Sequence, residues 1–231
     1  MLDEGVEDEK IICVFYKIIE QSDKEDADCE FDREKLLNIF KKYKEKISNQ
    51  IFLDYYEYLQ RIDAEVNSFE ETPIQDWTDK MFIGFFKHLR KTVLEGDTTH
   101  WGYISNPKGG FMGLWITSVL GNEDLIRIGF HKKCIKDLYL QLEYNYEINK
   151  CVICIKYLID DKETVYGNCK AKIFNYKNKI SYYFQEQVGK VYTKTRNYFG
   201  EHMTVGYVTY NKSDYVTKLL LMKNTLKNLK I

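Results

Sequence analysis

Between residues 32 and 91 apolar positions recur at helical intervals, and beyond about residue 100 they alternate, so a helical first part precedes a strand-rich second part. From Asp32 to Ile47, Leu36, Phe40, Tyr43 and Ile47 share one stripe with lysines opposite, the pattern of an amphipathic helix. A second helix is predicted from Gln50 to Val66. Phe52, Tyr56, Leu59 and Val66 line one face, and Ile51, Tyr55, Tyr58 and Ile62 line a neighbouring one, which predicts cover on two sides. Thr72-Pro73-Ile74-Gln75 carries helix-start chemistry, with Thr as the cap, Pro at the first helical position and Gln reaching back. The helix it opens is predicted to run to about Lys91. Its stripe holds Trp77, Met81, Phe82, Phe85, Phe86 and Leu89, with Gly84 admitting a close neighbour. Ahead of these, Ile11 to Glu20 is apolar and β-branched enough for a strand, but Val14, Phe15, Ile18 and Ile19 also share a helical face. We read it as helix, followed by an acidic loop from Gln21 to Glu30.

Trp101 to Ser105 and Phe111 to Ile116 read as a hairpin turned by Asn106-Pro107-Lys108-Gly109-Gly110. Leu138 to Tyr144 and Cys151 to Ile159 make a second strand pair. Lys172 to Val188 is helical, with Ile173, Tyr176, Ile180 and Phe184 on one side and Gly189 as its stop. Val191 to Tyr198 and Met203 to Tyr210 return to strand. A last helix after Ser213 points Val216, Leu219, Met222, Leu226 and Leu229 inward and Lys218, Lys223, Lys227 and Lys230 outward. The expected fold class is therefore α+β: N-terminal helices on a mostly antiparallel sheet built from hairpins, with a C-terminal helix. The expected organisation is an acidic arm over 1–30, a helical region over 31–96 and a sheet region over 97–231, the last two in one continuous domain.

With 231 residues, 44% hydrophobic, the chain can fill a core of ordinary size. No apolar run nears the ~20 residues of a membrane span, and Met1-Leu2-Asp3-Glu4-Gly5 lacks signal-peptide character, so a cytoplasmic location is expected. In that reducing compartment Cys13, Cys29, Cys134, Cys151, Cys154 and Cys169 are expected to be free thiols. The net charge of −1 conceals opposite poles: residues 1–30 hold 11 acids and three lysines, whereas residues 168–231 hold 12 cations and three acids. The poles either attract within the fold, or the basic part meets a polyanion that the acidic arm screens.

Several motifs are weak candidates for chemistry. Cys151-Val-Ile-Cys154 has CxxC form but no second ligand pair, and on a strand its thiols diverge to opposite faces. His88, His100, His131 and His202 show no metal-ligand spacing. Asn106 to Gly110 lacks the phosphate-loop pattern and reads as a turn. The most suggestive pattern is Lys190, Tyr192, Lys194, Arg196 and Tyr198, because a period of two projects these cations and rings onto one strand face. Such a face neutralises phosphates and stacks bases, although a solvated antiparallel face has the same composition.

Five segments together carry a resemblance. They are Phe52-Leu-Asp-Tyr-Tyr-Glu-Tyr-Leu-Gln60; Trp77 with Gly84-Phe-Phe-Lys-His-Leu89; Trp101-Gly-Tyr-Ile-Ser-Asn-Pro-Lys-Gly-Gly-Phe-Met-Gly-Leu-Trp115; Leu138-Tyr-Leu-Gln-Leu-Glu143; and Gly200-Glu-His-Met-Thr-Val-Gly206. Spanning roughly positions 50 to 210, they resemble the region after the catalytic core in bacterial PD-(D/E)xK nuclease superfamily proteins. The resemblance implies a restriction or phage-defence context and metal-dependent DNA cleavage, with Mg²⁺ as cofactor only where cleavage is present. That chemistry needs an Asp followed by (D/E)xK on neighbouring strands. Asp8-Glu-Lys10 has the triplet without a preceding strand Asp, and Asp160-Asp-Lys162 falls at a strand end. Glu143 and Lys156 on adjacent strands read as a buried-edge salt bridge, so no catalytic or metal-binding residue is assigned.

Three functions follow as expectations. The first is a non-catalytic nucleic-acid-facing or regulatory module, taking DNA or RNA or working with a separate nuclease. The second is a protein-interaction subunit using the acidic arm and aromatic surface. The third is a divergent metal-dependent nuclease.

Overall fold

The computed structural model describes residues 16–18, 29–31, 33–106, 109–117, 119–120, 135–159, 170–193 and 202–229. The chain separates into two compact units, residues 1–67 and 68–231.

Among its described residues the first unit holds two three-residue strands and two α-helices. Strands β1 (Tyr16–Ile18) and β2 (Cys29–Phe31) pair in parallel. This corrects the helix expected over Ile11–Glu20 and the loop expected through Glu30, because pairing with a distant partner decides a short run that periodicity leaves ambiguous. Helix α1 (Arg33–Tyr43) ends in a single 3-10 turn, Lys44–Lys46, and α2 spans Gln50–Asn67. The Asn49 side chain accepts from the Phe52 amide at 3.1 Å and opens α2. Phe40 packs edge-on against Phe52 at 4.8 Å and Tyr56 at 6.3 Å, and buried Arg33 pairs with Asp63 at 3.1 Å. The expected face of Phe52, Tyr56, Leu59 and Val66 is the packed one. The neighbouring face is covered only in part: Tyr55 and Ile62 are half-buried, with Tyr55 6.0 Å from Phe40, whereas Ile51 is 75% exposed and Tyr58 50%.

The second unit holds helix α3 (Asp79–Thr92) and a five-stranded antiparallel sheet. Its strands are β3 (Thr98–Ile104), β4 (Phe111–Thr117), β5 (Asp137–Asn145), β6 (Lys150–Leu158) and β7 (His202–Tyr210), in sequential spatial order. Helix α4 (Lys170–Val188) lies between β6 and β7 in sequence, and α5 (Tyr215–Lys227) follows β7. This is the α+β class expected, with helices on an antiparallel sheet and a C-terminal helix.

Helix α3 starts later than Thr72. The Thr78 hydroxyl accepts from the Met81 amide and caps it, whereas Pro73 leads only a 3-10 turn over Ile74–Asp76. Trp77 explains the break, since its indole N–H donates to the Thr72 carbonyl at 3.0 Å and its ring meets Phe82 and Phe85. In the β3–β4 turn, Gly109 and Gly110 hold φ of +117° and +93°, which L side chains rarely adopt. A Cβ on Gly110 would lie 2.5 Å from the Tyr103 hydroxyl, so only glycine lets that ring fold across the turn.

Register places Leu138, Leu140, Leu142 and Tyr144 beside Tyr157, Ile155, Ile153 and Cys151 on one face of β5–β6. Helices cover this core face. Phe82 meets Tyr144 at 6.2 Å, Phe85 meets Tyr210 at 6.4 Å, and Tyr215 stands edge-on to Phe85 at 5.1 Å. Ile173, Ile180 and Phe184 of α4 and Leu219, Met222 and Leu226 of α5 complete the cluster. Val216, expected inward, is 37% exposed; Tyr215 packs against the core in its stead. Lys218 and Lys223 are also not simply solvated: Lys218 donates to the Thr209 carbonyl, and Lys223 pairs with Asp97. Among the described residues no helix is long and apolar enough to cross a membrane.

Candidate functional site

Of the five stripe residues, Lys190 and Tyr192 lie within the described residues, and Lys194, Arg196 and Tyr198 lie outside them. Gly189, at φ +88°, ends α4, and its amide donates to the Gln185 carbonyl at 3.1 Å. The chain then returns past the outer edge of β7. Tyr192 and Tyr207 exchange both backbone hydrogen bonds at 2.9 Å. Among the described residues this is an isolated bridge, and residues 194–198 of the strand expected over Val191–Tyr198 lie outside them. Gly206 permits the approach, because a Cβ there would meet Val191 Cγ1 at 2.7 Å.

The bridge sets two aromatic rings side by side. Tyr192 and Tyr207 stack with centroids 5.5 Å apart and planes at 17°, and Lys190 Nζ sits 4.9 Å from the Tyr192 centroid. Tyr192 is 39% exposed. Burial raises the Tyr207 hydroxyl above its ordinary range, reinforced by Cys154, Tyr192 and Glu147. The Tyr207 hydroxyl therefore keeps its proton at physiological pH, and the stacked pair offers a π-surface beside a cation. Tyr207 was not among the expected site residues.

A second cluster occupies the sheet face opposite the core. Glu143 accepts from Lys156 Nζ at 3.0 Å and from the Gln141 side-chain amide. All three are buried, and they sit on the interior strands β5 and β6 rather than at an edge as expected. Tyr139, two residues before Gln141 on the same face, shares a 2.8 Å hydrogen bond between its hydroxyl and His202 Nδ1. The period-two run Tyr139, Gln141, Glu143 was the available sequence signal for this cluster.

The remaining motifs carry little chemistry. Cys151 and Cys154 are buried, unbridged and on opposite faces of β6. Burial pushes the Cys151 thiol up to about 12 against a lowering pull from Tyr210, so it is not a nucleophile at neutral pH. Among the described residues no group of three or more His, Cys, Asp or Glu converges to hold a metal. Asp8-Glu-Lys10, Asp160-Asp-Lys162 and His131 lie outside the described residues. No family model, curated protein or solved structure matches the chain.

Proposed function

We propose that this chain is a non-catalytic, nucleic-acid-facing module of a defence-type nuclease system, with its contact surface at the outer edge of β7. The observation that carries the reading is the Lys190–Tyr192–Tyr207 arrangement, in which a cation and two stacked rings share one sheet edge. Residues 168–231 supply 12 Lys or Arg against three acids, and Lys194, Arg196 and Tyr198 follow directly in the chain. Rings stack bases and cations neutralise phosphates, the two contributions behind loosely specific binding of nucleic acid. Mg²⁺ enters only where strand cleavage accompanies binding.

The test is salt-titrated binding of DNA and RNA oligonucleotides to the whole chain. Affinity should fall steeply with salt, and the double substitution Lys194→Glu with Arg196→Glu should flatten the log–log slope by about 0.7–0.9 for each phosphate no longer neutralised. An unchanged slope removes the β7 edge as the contact surface. Metal-dependent cleavage abolished by Glu143→Ala would replace this reading with that of a divergent nuclease.

A further inference from the structure

We propose that helix α2 pairs with α2 of a second copy of this chain, antiparallel and about a two-fold axis, through Ile51, Tyr55, Tyr58 and Ile62. The surface lies in the first unit and uses no residue of the Lys190–Tyr192 edge, so it does not rest on the nucleic-acid reading.

The face is apolar, open and spaced for another helix. Ile51, Tyr55, Tyr58 and Ile62 follow one another at intervals of four, three and four residues, so Ile51 and Tyr58, like Tyr55 and Ile62, stand one heptad apart. That repeat is the seam along which two helices interlock side chains. It runs beside the stripe of Tyr56, Leu59 and Val66 that α2 buries. Ile51 is the most exposed large apolar residue among those described, and Tyr58 is exposed with it. Single exposed apolar residues are ordinary, whereas a row of them along one helix marks a contact surface. The rings are also held in place. Tyr55 stacks on Tyr58 with centroids 6.4 Å apart and planes at 23°, and it meets Phe40 of α1 edge-on at 6.0 Å.

The order of these residues selects the occupant. An antiparallel copy centred between Tyr56 and Glu57 sets Ile51 opposite Ile62 of the second copy, and the same centre sets Tyr55 opposite Tyr58 of the second copy. The stripe is therefore its own complement, aliphatic against aliphatic and ring against ring. Charge agrees with this direction. Asp54 and Arg61 are both exposed and stand on the flank of the seam away from the buried stripe. With the copies antiparallel, Asp54 of each comes within about 3 Å, measured along the helix, of Arg61 of the other, so two opposite-charge pairs close that flank. A parallel pair would set Asp54 level with Asp54 and Arg61 level with Arg61. Among the described residues Arg61 has no ion-pair partner, and Asp54 accepts from the Gln50 side-chain amide through Oδ1 at 2.7 Å, which leaves Oδ2 for the guanidinium.

The experiment is sedimentation velocity of the intact chain from about 1 to 200 µM, a range that brackets the affinity of so small an interface. A single monomer–dimer equilibrium is expected. Ile51→Ser with Tyr58→Ser should weaken it at least about tenfold. Asp54→Arg alone and Arg61→Asp alone, each of which brings like charges together at both pairs, should weaken it about three- to tenfold. An equimolar mixture of those two variants restores both attractions and should associate within about twofold of the native chain. Thermal melts of the dilute variants should match the native one, because the face is open in the monomer. A chain that stays monomeric, assembly beyond the dimer, a dimer indifferent to the Ile51 and Tyr58 changes, or a mixture no tighter than its parts overturns the proposal. A lowered melting temperature in the dilute Ile51 and Tyr58 variant would overturn it in favour of cover from within the chain.

Discussion

The two faces of the β5–β6 pair are equally dry and chemically opposite. On the core face, Leu138, Leu140, Leu142, Ile153 and Ile155 are fully buried under α3, α4 and α5. On the other, Gln141 is 1% exposed, Glu143 6% and Lys156 9%, and a carboxylate is satisfied by one amide and one ammonium. Apolar burial is non-directional, so side chains of similar volume can exchange on the core face at modest cost. A buried ion pair is directional, and its attraction must offset the loss of water around two charges. The opposite face therefore tolerates no single change well.

The contrast is broken most severely by Glu143→Ala, which leaves the Lys156 ammonium buried without its counter-charge. We expect a loss of about 3–5 kcal/mol in urea unfolding. Replacing Glu143 and Lys156 together by Met should instead be neutral or stabilising by up to about 4 kcal/mol, and a double variant as unstable as the single one would show that the pair is not the source. On the core face, Leu142→Ala should lose about 2–5 kcal/mol through its cavity, with no comparable rescue by a second substitution.

A smaller effect is expected at the join between sheet and site. Gly206→Ala brings a Cβ within 2.7 Å of Val191 Cγ1 and should cost about 1–3 kcal/mol. It should also raise amide exchange at Tyr192 by weakening the bridge to Tyr207. The smallest concerns pH. Desolvation pushes the Asp214 carboxyl up, but the Asn211 amide and Lys218 outweigh it and hold the group below its ordinary 3.8. A folded value below the unfolded one means that stability is present above the ordinary value and lost as pH falls through the lowered one. Asp214→Asn should flatten that acid limb of a stability–pH curve while leaving the Glu143–Lys156 pair in place.

Elements with unbroken periodicity were legible from sequence. Ile173, Ile180 and Phe184 of α4 and the alternating hairpins lie where their spacing puts them. The start of α3 was harder, because Thr72 and Thr78 both have cap chemistry and only the seat of Trp77 decides between them. Exposure of Ile51 and Tyr58 was likewise unreadable, since two apolar helix faces do not declare which will find a partner. At the candidate site, the shared side of Lys190 and Tyr192 follows from period-two spacing. Tyr207 does not, because an isolated bridge leaves no periodic trace. Alternation at Tyr139, Gln141 and Glu143 shows a polar face, but that the face is dry is a tertiary fact.

The sequential strand order has a consequence during synthesis. β3 to β6 form from neighbouring hairpins within residues 98–158, so each finds its partner as soon as it leaves the ribosome. β7 begins only at His202, after α4 has been made. Until then the outer edge of β6 presents unpaired amides and carbonyls, and a nascent or truncated chain ending near Leu158 offers that edge to any other extended strand.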